Sequence, residues 1–330
     1  SAMRGSGVDV TVPSFLMFKQ DADPIKDLLR QNKMVRAEMS WMLPSPDARV
    51  EYALWTTPTD SVSAPMKDSF REIAVALGEH AQFTPRYYIY DGLFAGCRAS
   101  DGENECYNLC TNDGRYCSED PDGDLDFGIS GAMVVTESLR QICIWQLYGS
   151  DGIGLPWWKY VEEFGYRCNK EEDAGKFFDN DKCIQDAMQR SDVDYDKVQE
   201  CMDKAGGVEG DVENDILEQE LFNQKATGVL VLPTFIVNKA PLRGELTTSE
   251  VFEGICAGFI SGSEPKVCKS CDGCKDVNKC VEIGYCPGGS PNTVSIPVFA
   301  GSMIAVVLCF SIAGIIQWRR SQSQMHAQVR

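Results

Sequence analysis

The sequence predicts a layered α/β domain with a disulfide-crosslinked helical insert, then a cysteine-rich segment and a single membrane-spanning helix. Three observations carry this. Strand-periodic runs near residues 49–90 and 228–246 bracket a mainly helical stretch. Of 15 cysteines, 14 precede residue 294. Residues 294–318 form a run of 25 residues without a charge, followed at once by Arg319 and Arg320.

The elements follow in chain order. Residues 1–43 read as strand, helix, strand: Val8, Val10 and Val12 alternate, and 34–42 is a second extended run. Between them Asp23 and Pro24 stand where an N-cap and first helical residue belong, opening a helix to about Gln31. This is too little for an independent domain and reads as the end of one. Residues 44–262 form the main domain. Val50, Tyr52 and Leu54 alternate in a first strand, and Met66, Phe70, Ile73 and Leu77 share one face of a helix. The run TPRYYIYDG is a third strand candidate.

Residues 97–127 are loop-like and hold Cys97, Cys106, Cys110 and Cys117. The helical insert spans about 128–225, with Val135, Leu139, Ile142, Cys143 and Leu147 as one stripe and an aromatic helix from Trp157 to Cys168. Helices around Cys183 and Cys201 form an αα-hairpin, followed by an acidic helix over 212–224. GVLVLPTFIV, a turn at NKAP and LRGEL return to strand, and Thr247 with Glu250 makes a capping box for a helix to about Phe259. Strands and a helix, a helical insert, a hairpin and a last helix make a thioredoxin-like arrangement.

In that arrangement Pro233 is the cis-proline candidate, because a strand proline costs a ladder bond and a placed cis X–Pro bond has a purpose. Arg243 and Gly244 after the hairpin agree with it. A thioredoxin-type enzyme also needs a low-pKa cysteine at the helix start after the first strand. There the chain reads TTPTDSVSAPMKDSF, without cysteine. The scaffold is expected to bind and not to catalyse.

Residues 263–293 form a cysteine-rich spacer. Cys268, Cys271, Cys274, Cys280 and Cys286 lie in too short a stretch to build a core, so crosslinks must hold it. Residues 294–318 exceed the roughly 20 residues a bilayer core requires. The basic pair after them places residues 319–330 in the cytosol and the preceding part in the lumen or outside the cell. Without the tail's three Arg the charge is 28 Lys+Arg against 49 Asp+Glu, or −21. That balance excludes nucleic acid as a partner, since phosphate contact needs clustered cations.

The lumenal cysteines, even in number, fit full pairing in an oxidising compartment: Cys97, Cys106, Cys110, Cys117, Cys143, Cys168, Cys183, Cys201, Cys256, Cys268, Cys271, Cys274, Cys280 and Cys286. Cys183 with Cys201 is the expected link across the hairpin. Two His exclude histidine-rich zinc sites, and an all-Cys site at Cys271, Cys274, Cys280 and Cys286 is the lesser reading. No metal or cofactor is expected. Asp120, Asp122, Asp124 and Asp126 read as a solvated acidic loop, because the EF-hand spacing fails at Leu125 and Gly131. Trp157 and Trp158 read as core and not as a ligand face. The chain has no N-x-S/T glycosylation sequon. A start at Ser1 without an apolar signal core suggests sequence missing upstream.

The runs NDGRYCSEDPDGDLDFGISGAMVVTESLRQICIWQL, WWKYVEEFGYRC, DKCIQDAM, VLVLPTFIVNKAPLRGEL and ICAGFISGSEPKVC, with RVEYALWT and AQFTPRYYI, resemble the lumenal region of plant-type vacuolar sorting receptors over about residues 8–268. The resemblance makes residues 1–43 the end of a protease-associated domain. It implies a type I membrane receptor that binds soluble vacuolar cargo proteins or propeptides in the Golgi or trans-Golgi lumen and releases them in a prevacuolar or endosomal compartment. The chain departs from the family at three places. VSAPM stands where the family has a C-x-x-x-C pair, the spacer is too short for a full calcium-binding EGF-like repeat, and the tail has no Tyr-based adaptor signal. Coat recruitment is left without a visible signal, and no cargo-binding residue carries over. The rival reading is a membrane-anchored thiol-disulfide oxidoreductase or isomerase using the Cys271–Cys274 pair.

Overall fold

The structure is a computed structural model, and it describes residues 19–35, 46–100, 102–170, 173, 175–242 and 246–287. The expected strand at 8–12, residues 36–42 of the extended run expected over 34–42, the Arg243–Gly244 pair, the membrane span 294–318 and the tail lie outside these residues; residues 34–35 are not strand. Among the described residues no helix is long and apolar enough to cross a membrane.

The first described element is α1 (Lys19–Arg30). Its end matches expectation, but Pro24 lies inside it, so Asp23–Pro24 is not its start. Proline's fixed φ is itself helical, and here it forfeits one backbone bond without ending the helix.

The central sheet has the order β2-β1-β6-β7. Strand β1 (Val50–Thr56) runs parallel to β2 (Ala81–Tyr87), and helix α2 (Ala64–Leu77) makes the crossover a parallel pair requires. The expected face of α2 is the buried one: Met66, Phe70, Ile73 and Leu77 are all covered. They meet Val50, Tyr52 and Leu54, which are inaccessible or nearly so. Pro85 is tolerated in β2 because that strand is an edge. The outward N–H groups on either side of Pro85 go elsewhere, Phe83 to the carbonyl of Gly152 at 2.8 Å and Tyr87 to Glu220 Oε1 at 2.7 Å.

A small lobe follows. Strands β3 (Tyr90–Asp91), β4 (Cys110–Thr111) and β5 (Tyr116–Cys117) form a second sheet, ordered β3-β5-β4, with the short helix α3 (Gly92–Ala95) beside it. Cys97–Cys106 and Cys110–Cys117 staple it. Its packing requires glycine at 92, where a Cβ would lie 2.0 Å from the carbonyl oxygen of Gly114 and 2.6 Å from Cys117 Sγ.

The insert comprises α4 (Gly131–Tyr148), α5 (Leu155–Arg167), α6 (Asp181–Arg190), α7 (Tyr195–Lys204) and α8 (Asp215–Thr227). Helix α4 packs on β2, on α5 and on α7, and α5 packs on α2 and α6. Trp157 and Trp158 are fully buried core residues; Trp158 stacks on Phe83 with centroids 4.5 Å apart. Their indoles are satisfied, Trp157 Nε1 donating to Tyr87 Oη and Trp158 Nε1 to the Ile153 carbonyl. The expected Cys183–Cys201 bond does not form. Cys201 joins Cys143 and Cys183 joins Cys168. The hairpin helices each pack on a longer helix, α7 on α4 and α6 on α5, and the cysteines follow that packing.

The insert also buries a polar chain invisible to periodicity. Glu137 is inaccessible to solvent and accepts from Gln141 Nε2 at 2.8 Å, Tyr160 Oη at 3.0 Å and Arg140. Gln141 in turn accepts from Tyr87 Oη at 2.6 Å. Burial pushes the Glu137 carboxyl up, and Arg140 with the hydrogen bonds opposes that rise.

Strand was expected from residue 228, yet β6 (Thr234–Val237) starts later. Gly228 is the left-handed C-cap of α8, at φ 67°, and residues 229–233 run past the end of β1 without a ladder partner. A turn at Asn238 and Lys239, both at positive φ, leads to β7 (Ala240–Pro241). Helix α9 (Thr248–Ala257) has the Thr247–Glu250 capping box. The short helices α10 (Lys266–Ser270) and α11 (Val277–Ile283) pack on α2 and α9. Cys256–Cys268, Cys271–Cys280 and Cys274–Cys286 bind them. The four sulfurs weighed as zinc ligands are therefore spent in two of these bonds.

Candidate functional site

The site begins where β1 runs out. Residues 57–63 link Thr56 to α2, and here a thioredoxin scaffold carries its reactive sulfur. Ser63, fully buried, occupies the N-cap of α2 but does not cap the helix. Its hydroxyl donates to Asp60 Oδ2 at 2.6 Å instead. Thr56 Oγ1 donates to the same oxygen at 3.0 Å, while Asp60 Oδ1 accepts from the Val62 amide at 3.0 Å. From α2, Lys67 Nζ reaches the Thr57 carbonyl at 3.4 Å. Burial holds the Lys67 ammonium below its ordinary pKa, while Asp60 and Asp68 oppose that shift. An insert residue closes the group, Asn169 Nδ2 donating to the Pro58 carbonyl at 3.2 Å. The segment is thus fixed by a carboxylate, two hydroxyls and an ammonium.

Chemically this arrangement lacks a nucleophile for disulfide exchange. Its hydroxyls are buried and bound, and every cysteine among the described residues is in a disulfide. The Leu232–Pro233 bond is cis. Thr57, Thr59, Asp60, residues 118–123 and Leu232 line a cleft of about 500 Å³. Asp60, Glu119, Asp120 and Asp122 line it without a Lys or Arg.

The acidic loop is built by its own carboxylates. Asp120 Oδ1 accepts from the Gly123 amide at 2.8 Å, Asp122 Oδ1 from Asp124 at 3.0 Å and Asp124 Oδ1 from Asp126 at 3.2 Å. Asp122 Oδ2 accepts from the Ile129 amide at 2.9 Å and fills the space above Gly128, where a Cβ would lie 2.0 Å away. Burial raises the Asp120 carboxyl, while backbone donors from Ile129 and Asp124 lower that of Asp122. Among the described residues the cluster with metal-ligand spacing is Cys97, Cys110 and Cys117, and all three are oxidised.

The sequence pointed to Pro233 and to the missing thiol. It missed Asp60, Ser63 and Lys67 as a unit, and it missed the acidic loop as part of the cleft lining. The spacing of Ser63 and Lys67, one helical turn apart behind an aspartate, was the available signal.

Residues 50–256 match the vacuolar sorting receptor thioredoxin-like domain. The chain is 34% identical to vacuolar-sorting receptor 1 of Pisum sativum over 288 residues, covering 83% of this chain and 44% of that protein. It is 33% identical to vacuolar-sorting receptor 4 of Arabidopsis thaliana over 289 residues, with the same coverage. The chain thus spans under half the length of these relatives. A reduced DsbA of Mycobacterium tuberculosis aligns at 9% identity and a TM-score of 0.32, covering 68% of this chain and 96% of that one, a distance at which no activity carries over. The matched domain spans the sheet, the insert and the thiol-free cleft, and on these grounds the chain belongs to the vacuolar sorting receptor family.

Proposed function

We propose that this chain is the membrane-proximal part of a receptor that binds soluble cargo in the Golgi or trans-Golgi lumen for delivery to vacuolar or lysosome-like compartments. On this reading residues 1–43 end a protease-associated domain, residues 44–262 form the thioredoxin-like body, 263–293 the spacer, 294–318 the anchor and 319–330 the cytosolic tail. The observation that supports it is the match of residues 50–256 to the vacuolar sorting receptor thioredoxin-like domain, together with the Asp60–Ser63 pair where a redox scaffold would carry sulfur. Without a thiolate there is no disulfide exchange at this position. The oxidoreductase alternative would need the Cys271–Cys274 pair, and those sulfurs are bonded to Cys280 and Cys286.

The test is retention of a purified vacuolar hydrolase propeptide by the full-length receptor, run beside an insulin-reduction assay. Propeptide binding with no reduction is the expected result. Turnover of insulin without propeptide binding would replace the receptor by an enzyme.

A further inference from the structure

The rarer cysteine form of the glycosylation sequon, Asn-x-Cys, occurs three times, at Asn104, Asn108 and Asn278. A thiol at its third position replaces the usual hydroxyl, less well because sulfur is a weak hydrogen-bonding partner. The fold separates the three. Asn108 and Asn278 each have a buried side-chain oxygen, and Asn108 Nδ2 donates to the Leu125 carbonyl, so these amides face protein. Asn104 stands in the loop closed by Cys97–Cys106, between exposed Glu103 and Glu105. Its Oδ1 accepts from the Cys106 amide at 2.9 Å, an Asx-turn that brings the first and third residues of the sequon together. Its Nδ2 donates at an exposed position to the Tyr107 carbonyl at 2.6 Å, and a glycosylated amide keeps one hydrogen for such a bond. Tyr107 is 79% exposed, so an uncovered ring stands beside the amide, and its apolar body is a face on which a sugar ring can pack.

We propose that Asn104 is an N-glycosylation site whose occupancy competes with the Cys97–Cys106 disulfide. The donor class is an oligosaccharide on a lipid pyrophosphate. The bond from C1 of its first sugar to the pyrophosphate oxygen breaks, the C1–Nδ2 bond forms, Nδ2 gives up one proton and the lipid pyrophosphate leaves. Cys106 has to be a thiol at that moment. A lumenal disulfide donor then takes up two electrons from Cys97 and Cys106 and closes the loop behind the glycan. The proposal rests on the receptor reading, because a lumenal domain is what meets such a donor.

The test uses the full-length receptor expressed in plant cells, reduced, alkylated and cut with trypsin. Peptide-N-glycosidase in heavy-oxygen water then marks each formerly glycosylated Asn, and fragmentation mass spectrometry of residues 99–115 separates Asn104 from Asn108. The mark is expected on Asn104 in a fraction of chains and on neither Asn108 nor Asn278. Cys97→Ser should raise that fraction, since the competing disulfide is gone, and Cys106→Ala should abolish it. Glycan transfer precedes closure of the loop, so a variant that folds less well still reports it. Cys106→Thr creates the common sequon and shows whether this loop enters the lumen. Asn104 marked in Cys106→Thr and unmarked in the wild type overturns the proposal and leaves the receptor reading standing. A mark that survives Cys106→Ala, or a fraction that Cys97→Ser leaves unchanged, also overturns it. Asn104 unmarked in the wild type and in Cys106→Thr, with the cysteines before residue 294 alkylated without reduction, removes the lumenal placement and the proposal together.

Discussion

The central sheet and the parts around it hold their shape by different chemistry. Strands β1, β2, β6 and β7 and helix α2 contain no cysteine, and they cohere through Tyr52, Phe70, Phe83 and Phe235 packed on Trp157 and Trp158. The lobe at 97–117, the insert up to α7 and the helices at 266–283 are crosslinked. Sulfur is therefore placed in the elements that surround the sheet, much of it inside the same apolar core, and is missing where this scaffold would use it for exchange. The cysteines thus report on architecture, and the chemistry of the cleft lies in its carboxylates.

That contrast can be broken most forcefully in the sheet. Truncating Phe83 or Trp158 to alanine should cost about 3–5 kcal/mol, read by urea denaturation, because each is fully buried among aromatic rings. Next come the crosslinks, which should rank by the loop they close. Replacing Cys143 and Cys201, separated by 58 residues, should cost about 4 kcal/mol; replacing Cys110 and Cys117, separated by 7, should cost about 2.5 kcal/mol. Under graded reduction, hydrogen exchange should rise in 97–117 and 266–283 before it rises in β1 and β2. An even rise would mean the two regions do not differ as described.

Smaller effects sharpen the picture at the cleft and the sheet edge. Asp60→Ala removes the acceptor for Ser63, Thr56 and the Val62 amide and should cost about 1–3 kcal/mol, with exchange rising locally in 57–63. Glu220→Gln should have the least effect and the clearest sign. Burial raises the Glu220 carboxyl, with Arg86 and the Tyr87 amide opposing. A raised carboxyl contributes stability that is full below the ordinary glutamate range and is lost as pH rises through its folded value. Glutamine keeps an acceptor for Tyr87 and does not titrate. Denaturation from pH 4 to 7 should therefore show a flatter curve for the variant than for the wild type.

The sequence made the periodic parts legible. Alternation located β1, a heptad-like face located α2, and the Thr247–Glu250 box located α9, since each signal lies within one element. Pro233 stood out because it broke a strand. The disulfide partners of Cys183 and Cys201 were not legible, because α6 and α7 choose longer neighbours through the packing of the whole insert. Nothing in the helical sequence around Glu137 and Glu220 signals burial, and only the tertiary fold supplies the donors that make them buried acceptors. The acidic loop was readable as a loop, but its place opposite Leu232 depends on how the stapled lobe sits on the sheet.

A cleft without reactive sulfur is tested most directly by intact mass after alkylation of the native and then the denatured, unreduced full-length chain. The expected result is no label on the cysteines before residue 294 in either state, so that Cys309 is the one thiol that reacts. Label on two of those cysteines in the native chain, together with turnover in the insulin assay, would contradict it.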